Sequence, residues 1–218
     1  MTSLPPVELR QPRLSETEEM LAGRLYNTGD PELDAQRHRA SALCERFNAT
    51  PRDDAETRKA ILDELLPGHG EGLEVVGNIA FDYGIHTKIG DRVFINFNFT
   101  VLDANQVTIG DDVLFGPNVS LLPPMHPLRW QDRNQRRDKN GNLYDYEYSR
   151  PITIGRNCWF GGNVTVIGGV SIGEGSVIGA GSVVVHDIPA HCVAVGNPAH
   201  VVHEIDESMA AAKQDYAR

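Results

Sequence analysis

Cysteine, aromatic residues, positive charge and long apolar runs are all scarce in this chain. Three cysteines, Cys44, Cys158 and Cys192, stand far apart among 218 residues. They form no CxxC pair and no Cys/His spacing of the zinc type, so neither a disulfide framework nor a structural zinc site is expected. Free thiols and a cytoplasmic setting are expected instead. Aromatics make up only 7% of residues, too few for a bulky aromatic core. No stretch approaches the ~18 consecutive apolar residues of a membrane span. The first residues, MTSLPPVELRQPRLSETEEM, lack the apolar centre of a leader, so no membrane association is expected. Lys and Arg number 20 against 30 Asp and Glu, a formal charge of −10. No basic stripe is present, which sets nucleic-acid binding aside.

Glycine, in contrast, is plentiful at 21 residues, and it falls in a pattern. In PITIGRNCWFGGNVTVIGGVSIGEGSVIGAGSVVVHDIPA, Ile154, Phe160, Val166, Ile172, Ile178 and Val184 recur at a strict six-residue interval. Glycine follows directly at 155, 161, 173 and 179, and small or apolar residues stand two places earlier at 152, 158, 164, 170, 176 and 182. The same register runs upstream through Ile89, Ile95 and Val101, then Ile109, Phe115 and Leu121. The step from 101 to 109 holds two extra residues near Asp103–Asn105. A period of six is neither helical nor a simple alternation. It predicts short strands and tight turns wound into coils, each burying its face only against its neighbours.

The organisation follows. Residues 1–68 are expected to form an α-helical N-terminal subdomain. Ser15 with Glu18 makes a capping box, Asp30 and Pro31 open a second helix, and Thr50 or Asp53 opens a third. Residues 69–200 form the repeat body, and 201–218 a short C-terminal helix or tail. Residues 123–151 interrupt the repeat with six basic and four acidic side chains, a local charge of +2. So long an insertion inside a solenoid predicts a flap over a site.

Specific motifs accompany the repeat: MLAGRLYNTGDPEL at 20–33, FDYGIHTKIG at 81–90, INFNFTVLD at 95–103, DDVLFGPNVSLLPPMHPL at 111–128, and VGNPAHVV after the last coil. On these the chain resembles the hexapeptide-repeat acyltransferases, and within them the maltose/galactoside and nodulation-factor O-acetyltransferases. The resemblance spans about residues 18–205. It implies a mainly-β fold, a left-handed parallel β-helix, with acetyl-CoA as acetyl donor and no metal. It also implies a homotrimer with active sites between subunits and a small hydroxyl-bearing acceptor.

Acetyl transfer to a hydroxyl requires deprotonation of the alcohol, stabilisation of the oxyanion and alignment of both reactants. Imidazole suits the first task. His126 opens the flap in MHPL, and Pro127 forces its backbone to be extended. The resemblance assigns it the catalytic place, as base towards the hydroxyl and then acid towards the CoA thiolate. Through the same resemblance Asn96, Asp82 and Tyr83 contact the acceptor. Asp103, at the two-residue bulge, is expected to join them, and the next position, often acidic in such proteins, is Ala104. The expected acetyl-CoA contacts are Trp159, Gly162, Ala180, Val185, His186, His200 and His203. The last three histidines stand where Lys or Arg is usual, so tighter CoA binding at lower pH is expected. Cys158 occupies an inward repeat position, which predicts direct transfer without an acetyl-cysteine.

Two other readings are open on the sequence. One is an acyltransferase of the same fold acting on another acceptor, an antibiotic or an amino group. The other is a non-catalytic β-helix binding metal through His86 and His126, for which no third histidine is placed in the early coils.

Overall fold

A computed structural model describes residues 14–206 and Ser208. Helix α1 (Glu16–Leu21) carries the expected reciprocal cap. The Ser15 hydroxyl accepts from the Glu18 amide, and the Glu18 carboxylate accepts from the Ser15 amide. Helix α2 (Pro31–Ala49) starts at Asp30, whose carboxylate accepts from the amides of Glu32 and Leu33. Helix α3 (Ala55–Leu65) starts at Asp54 rather than at Thr50 or Asp53, because the Asp54 carboxylate is the one that reaches the Thr57 amide.

From Gly68 the chain winds into a parallel β-helix of triangular section. The first face carries Gly68–His69, Thr87–Ile89, Val107–Ile109, Ile152–Ile154 and Ser171–Ile172. The second carries Glu74–Val75, Phe94–Ile95, Leu114–Phe115, Trp159–Phe160, Val177–Ile178 and Cys192–Gly196. The third carries Ile79–Phe81, Phe99–Val101, Ser120–Leu122, Thr165–Ile167 and Val183–Val184. All twelve residues of the six-residue register point inward, none more than 3% exposed. Phe99, Phe115 and Phe160 pack in series with ring centroids 4.8 Å apart, an aromatic spine inside the prism.

Two of the three corners are regular. Between the first and second faces, Arg92, Asp112, Asn157 and His191 turn the chain at φ of 55° to 60°. Between the second and third, Asn98, Asn118 and Asn163 do so at 59°, and their amides bond in a ladder at 2.9 and 3.0 Å. Asparagine tolerates this left-handed region better than most residues. Coils approach so closely that a Cβ on Gly110 would lie 2.5 Å from the Arg156 amide nitrogen. Where a glycine follows the inward residue, as at Gly110, Gly155 and Gly173, the stacking requires it.

The third corner is where the repeat breaks. From Phe81 to Ile89, and again from Val101 to Ile109, the chain takes eight residues instead of six. One coil later the flap leaves from the same corner after Leu122 and returns at Ile152. All three irregularities are thus stacked along one edge of the prism.

Both ends of the solenoid are closed. At the first coil, the Asn48 amide of α2 bonds both the N–H and the C=O of Ile79 at 2.9 Å. Arg58 of α3 donates to the Val75 carbonyl at 3.0 Å. At the last coil Cys192–Gly196 turns back and pairs antiparallel with Ala199–Glu204. The helix expected over 201–218 is corrected here, since residues 201–204 complete this hairpin. The rest of that expectation falls on 207 and 209–218, outside the described residues, as do residues 1–13 of the expected N-terminal subdomain. The described helices do not stand apart: Ala40, Leu43, Phe47, Ile61 and Leu65 share one buried cluster with the coils.

Candidate active site

The broken corner gathers the chemistry. Between α1 and α2 the chain forms a short strand, Tyr26–Asn27, antiparallel to the flap strand Tyr146–Ser149. That strand in turn pairs with Pro124–Met125 at the flap's root. Tyr26 stands opposite Glu147, and Met125 opposite Tyr148, so His126 follows one step on beside Glu147. Residues opposite one another across antiparallel strands share a face. Accordingly His126 Nε2 lies 3.2 Å from Glu147 Oε1, and the Tyr26 hydroxyl donates to Glu147 Oε2 at 2.7 Å. A carboxylate only accepts, so a hydrogen bond across this gap would be donated by Nε2 and would leave Nδ1 to carry the lone pair.

Glu147 also borders a pocket of about 260 Å³ lined by Tyr26, Thr28, Arg37, Asp82, Tyr83 and Asp145. Arg37 of α2 crosses its floor, donating to the Tyr83 hydroxyl at 3.0 Å, the Thr28 carbonyl at 2.8 Å and Asp34 at 3.2 Å. Thr28 bonds Asp145. Burial, with the Asp103 and Glu147 carboxylates nearby, pushes the Asp82 carboxyl up to about 6. Burial also pushes up the Tyr26 and Tyr83 phenols. A larger cleft, about 870 Å³, lies elsewhere, between α3 and the first coil, and holds none of the expected site residues. The smaller pocket is the candidate site, because polar groups converge on it and Glu147 on its wall touches His126.

Asp103 is corrected. It is fully buried, and its Oδ1 accepts from the amides of Tyr83 at 2.8 Å and Gly84 at 3.1 Å, while Oδ2 accepts from the Thr87 hydroxyl at 2.9 Å. It shapes the bend that presents Asp82, and its two oxygens are engaged by protein donors. Ala104 is buried with Met20, Tyr26, Leu33 and Tyr83, where a carboxylate would lack a partner. Asn105 and Ser149 lash the region together. Asn105 Nδ2 donates to the Met20 carbonyl at 3.2 Å and to Ser149 Oγ at 3.0 Å, and Ser149 Oγ donates to the Met20 carbonyl at 2.7 Å.

The remaining expected residues lie on other parts of the prism. Asn96, Gly162 and Ala180 occupy the corner between the second and third faces, and Trp159 projects from the second face, 54% exposed. Val185 and His186 follow the third face at the broken corner, whereas His200 and His203 sit on the terminal hairpin opposite Val195 and Val193. Within one subunit His186 thus lies on a different element from His200 and His203. His86 bonds the Asp103 carbonyl at 2.8 Å. Among the described residues no three His, Cys, Asp or Glu side chains are grouped to hold a metal, and no helix is long and apolar enough to cross a membrane. All three cysteines are buried. Burial pushes the Cys44 thiol up to about 11 and raises that of Cys158, which leaves both poor nucleophiles.

Sequence reasoning missed Glu147, Tyr26, Arg37, Asn105 and Ser149. The alternating run YDYEYS at 144–149 carries a strand signal, but nothing local says which strands flank it.

Comparison with known proteins matches this fold. Residues 19–70 match the family model described as the maltose acetyltransferase hexapeptide capping motif, and residues 151–185 that described as the hexapeptide repeat of succinyl-transferase. The galactoside O-acetyltransferase of Escherichia coli (strain K12) is 40% identical over 191 residues, 88% of this chain and 90% of that protein. Nodulation protein L of Rhizobium leguminosarum bv. viciae is 41% identical over 187 residues, 86% of this chain and 94% of that protein. A solved galactoside acetyltransferase in complex with coenzyme A superposes with TM-score 0.82 at 39% identity, over 90% of this chain and 94% of that one. A maltose O-acetyltransferase from Clostridium difficile 630 gives the same score and identity over 89% and 99%. The chain is thus an enzyme of the hexapeptide-repeat acetyltransferase class. Within that class it belongs to the maltose/galactoside O-acetyltransferase family.

Proposed function

We propose that the protein transfers acetyl from acetyl-CoA to a hydroxyl of a sugar-like acceptor, with His126 as general base. The observation that carries this reading is the His126–Glu147 contact, because Glu147 also walls the polar pocket. The bound donor supplies a thioester-activated acetyl group. Nδ1 of His126 takes the hydroxyl proton as the acceptor oxygen attacks, and the imidazolium passes that proton to the departing sulfur. Glu147 offsets the charge that appears on the ring. Asp82 has no side-chain hydrogen bond among the described residues and faces the pocket, where acceptor hydroxyls would donate to it. With Tyr83 and Arg37 behind it, Asp82 is the acceptor-orienting group. Raised, buried thiols support direct transfer in a ternary complex.

The residues present fit the donor. A Cβ added at Gly181 would meet nothing within 4 Å, so the Gly162, Ala180 and Gly181 corner leaves room beside Trp159 for a slender pantetheine arm. Val185, His186, His200 and His203 would border its nucleotide end separately. A homotrimer with sites between subunits is part of the proposal. Asn96, Gly162 and Ala180 lie at a different corner from His126 and Asp82, and two copies set corner to corner would complete the site. Leu114 and Trp159 form an outward apolar pair, 47% and 54% exposed, that a second copy would cover.

The test is thiol release from acetyl-CoA with a panel of sugars and glycosides. Release should require an acceptor, and His126→Ala should lower kcat/KM by roughly 10²–10⁴-fold while acetyl-CoA still binds. Undiminished turnover in that variant would remove His126 from the mechanism.

A further inference from the structure

The geometry points to Tyr26 as a positioning residue of the reaction, acting on His126 through Glu147. The inference rests on the general-base reading of His126 and extends it to a part of the chain ahead of the solenoid.

The two oxygens of Glu147 are divided between two partners. Oε1 faces His126 Nε2 at 3.2 Å, and Oε2 receives the Tyr26 hydroxyl at 2.7 Å. His126 is half exposed and its contact is the longer one. Tyr26 is 1% exposed, packed with Met20, Leu33, Tyr83 and Ala104. The rigid partner therefore sets the carboxylate's rotation, and the mobile imidazole reads it. Without the phenol, Glu147 would be held on one side only, and its free oxygen would turn towards the water of the pocket.

Tyr26 is itself fixed from several directions. Its backbone pairs with the Glu147 strand, the following amide of Asn27 donates to Glu16 at 2.6 Å, and Asn105 and Ser149 grip the carbonyl of Met20. Other charged or titratable groups face Glu147 as well: Asp82 and Tyr83 from the first bend, Arg37 from α2 and Asp145 from the flap. None of these bonds the carboxylate; Tyr26 donates to it and His126 lies against it.

The experiment is a cycle of Tyr26→Phe and Glu147→Gln on the full-length protein, reading kcat, KM and the pH profile of kcat/KM. Phenylalanine keeps the ring, and a melting curve shows whether each variant is folded. A positioning role predicts that Tyr26→Phe lowers kcat about tenfold, an allotment of ~1.4 kcal/mol, with acceptor KM within twofold. The acid limb of kcat/KM should move to lower pH, in the same direction as in Glu147→Gln. In the Glu147→Gln background the second change should add nothing. Additive losses, an unmoved limb or a limb displaced to higher pH would overturn the inference. If Tyr26→Phe melts early, the positional variant Tyr26→His, with a shorter donor at the same site, should restore part of the limb; no restoration in a folded protein would count against it. Failure of the wider reading looks different, because His126→Ala would then keep its activity whatever Tyr26 does.

Discussion

At the scale of single residues, the site stores unfavourable charge. Asp82 is half-buried beside two other carboxylates, and its carboxyl is lifted from 3.8 to about 6. The folded state therefore holds this proton more tightly than the unfolded state does. Stability from Asp82 is greatest below the unfolded value and is lost as pH rises from about 4 to 6. The full shift corresponds to ~3 kcal/mol; partial solvent access reduces it to ~1–3 kcal/mol. Asp82→Asn should accordingly raise the melting temperature at pH 7.5 and change it little at pH 4. Turnover should fall in the same variant, since the group that costs stability is the one proposed to orient the acceptor. Equal stabilisation at both pH values would show that ionisation is not the source.

At the scale of elements, three short strands from different parts of the chain carry the row of Tyr26, Glu147 and His126. They are held by a few buried polar groups rather than by apolar area. Asn105→Ala would strip a bond from the Met20 carbonyl and from Ser149 Oγ, leaving buried acceptors partly unpaired at a cost of ~2–3 kcal/mol. Amide exchange should then accelerate in residues 16–27 and 146–149 while the coil interiors stay protected. Uniform acceleration along the chain would contradict this local role. The elements also differ in how far they were legible beforehand. The capped helices and the inward register were readable because each is decided within a few residues: Ser15 with Glu18, Asp30 with Pro31, Ile154 with Gly155. His126 was singled out by its motif. The row it belongs to was not, because Tyr26 and Glu147 meet across 121 residues, and no local pattern records such a pairing. Asp103 was misread for the same reason, since a bulge says that a side chain is redirected but not whether it goes out or in.

At the scale of the molecule, one chain carries the two halves of the proposed site on different corners of its prism. A closed ring of copies brings unlike corners together at every interface. Mixing two inactive variants, His126→Ala and Asn96→Ala, after joint unfolding and refolding should therefore restore about a quarter of wild-type activity, the share of interfaces that combine two intact halves. No recovery would place both residues in the same subunit's site.

The closure of the first coil has a consequence for the sociology of these molecules. A stack of coils has no intrinsic length, since its last rung looks much like its first and invites another. Asn48 ends the series by imitating a strand one residue long, offering Ile79 the donor and the acceptor that a further rung would have brought. The terminal hairpin does the same at the far end. What those two devices withhold is an open invitation to strangers: without them each molecule could become the next rung of another, and an enzyme would become the repeating unit of a fibre.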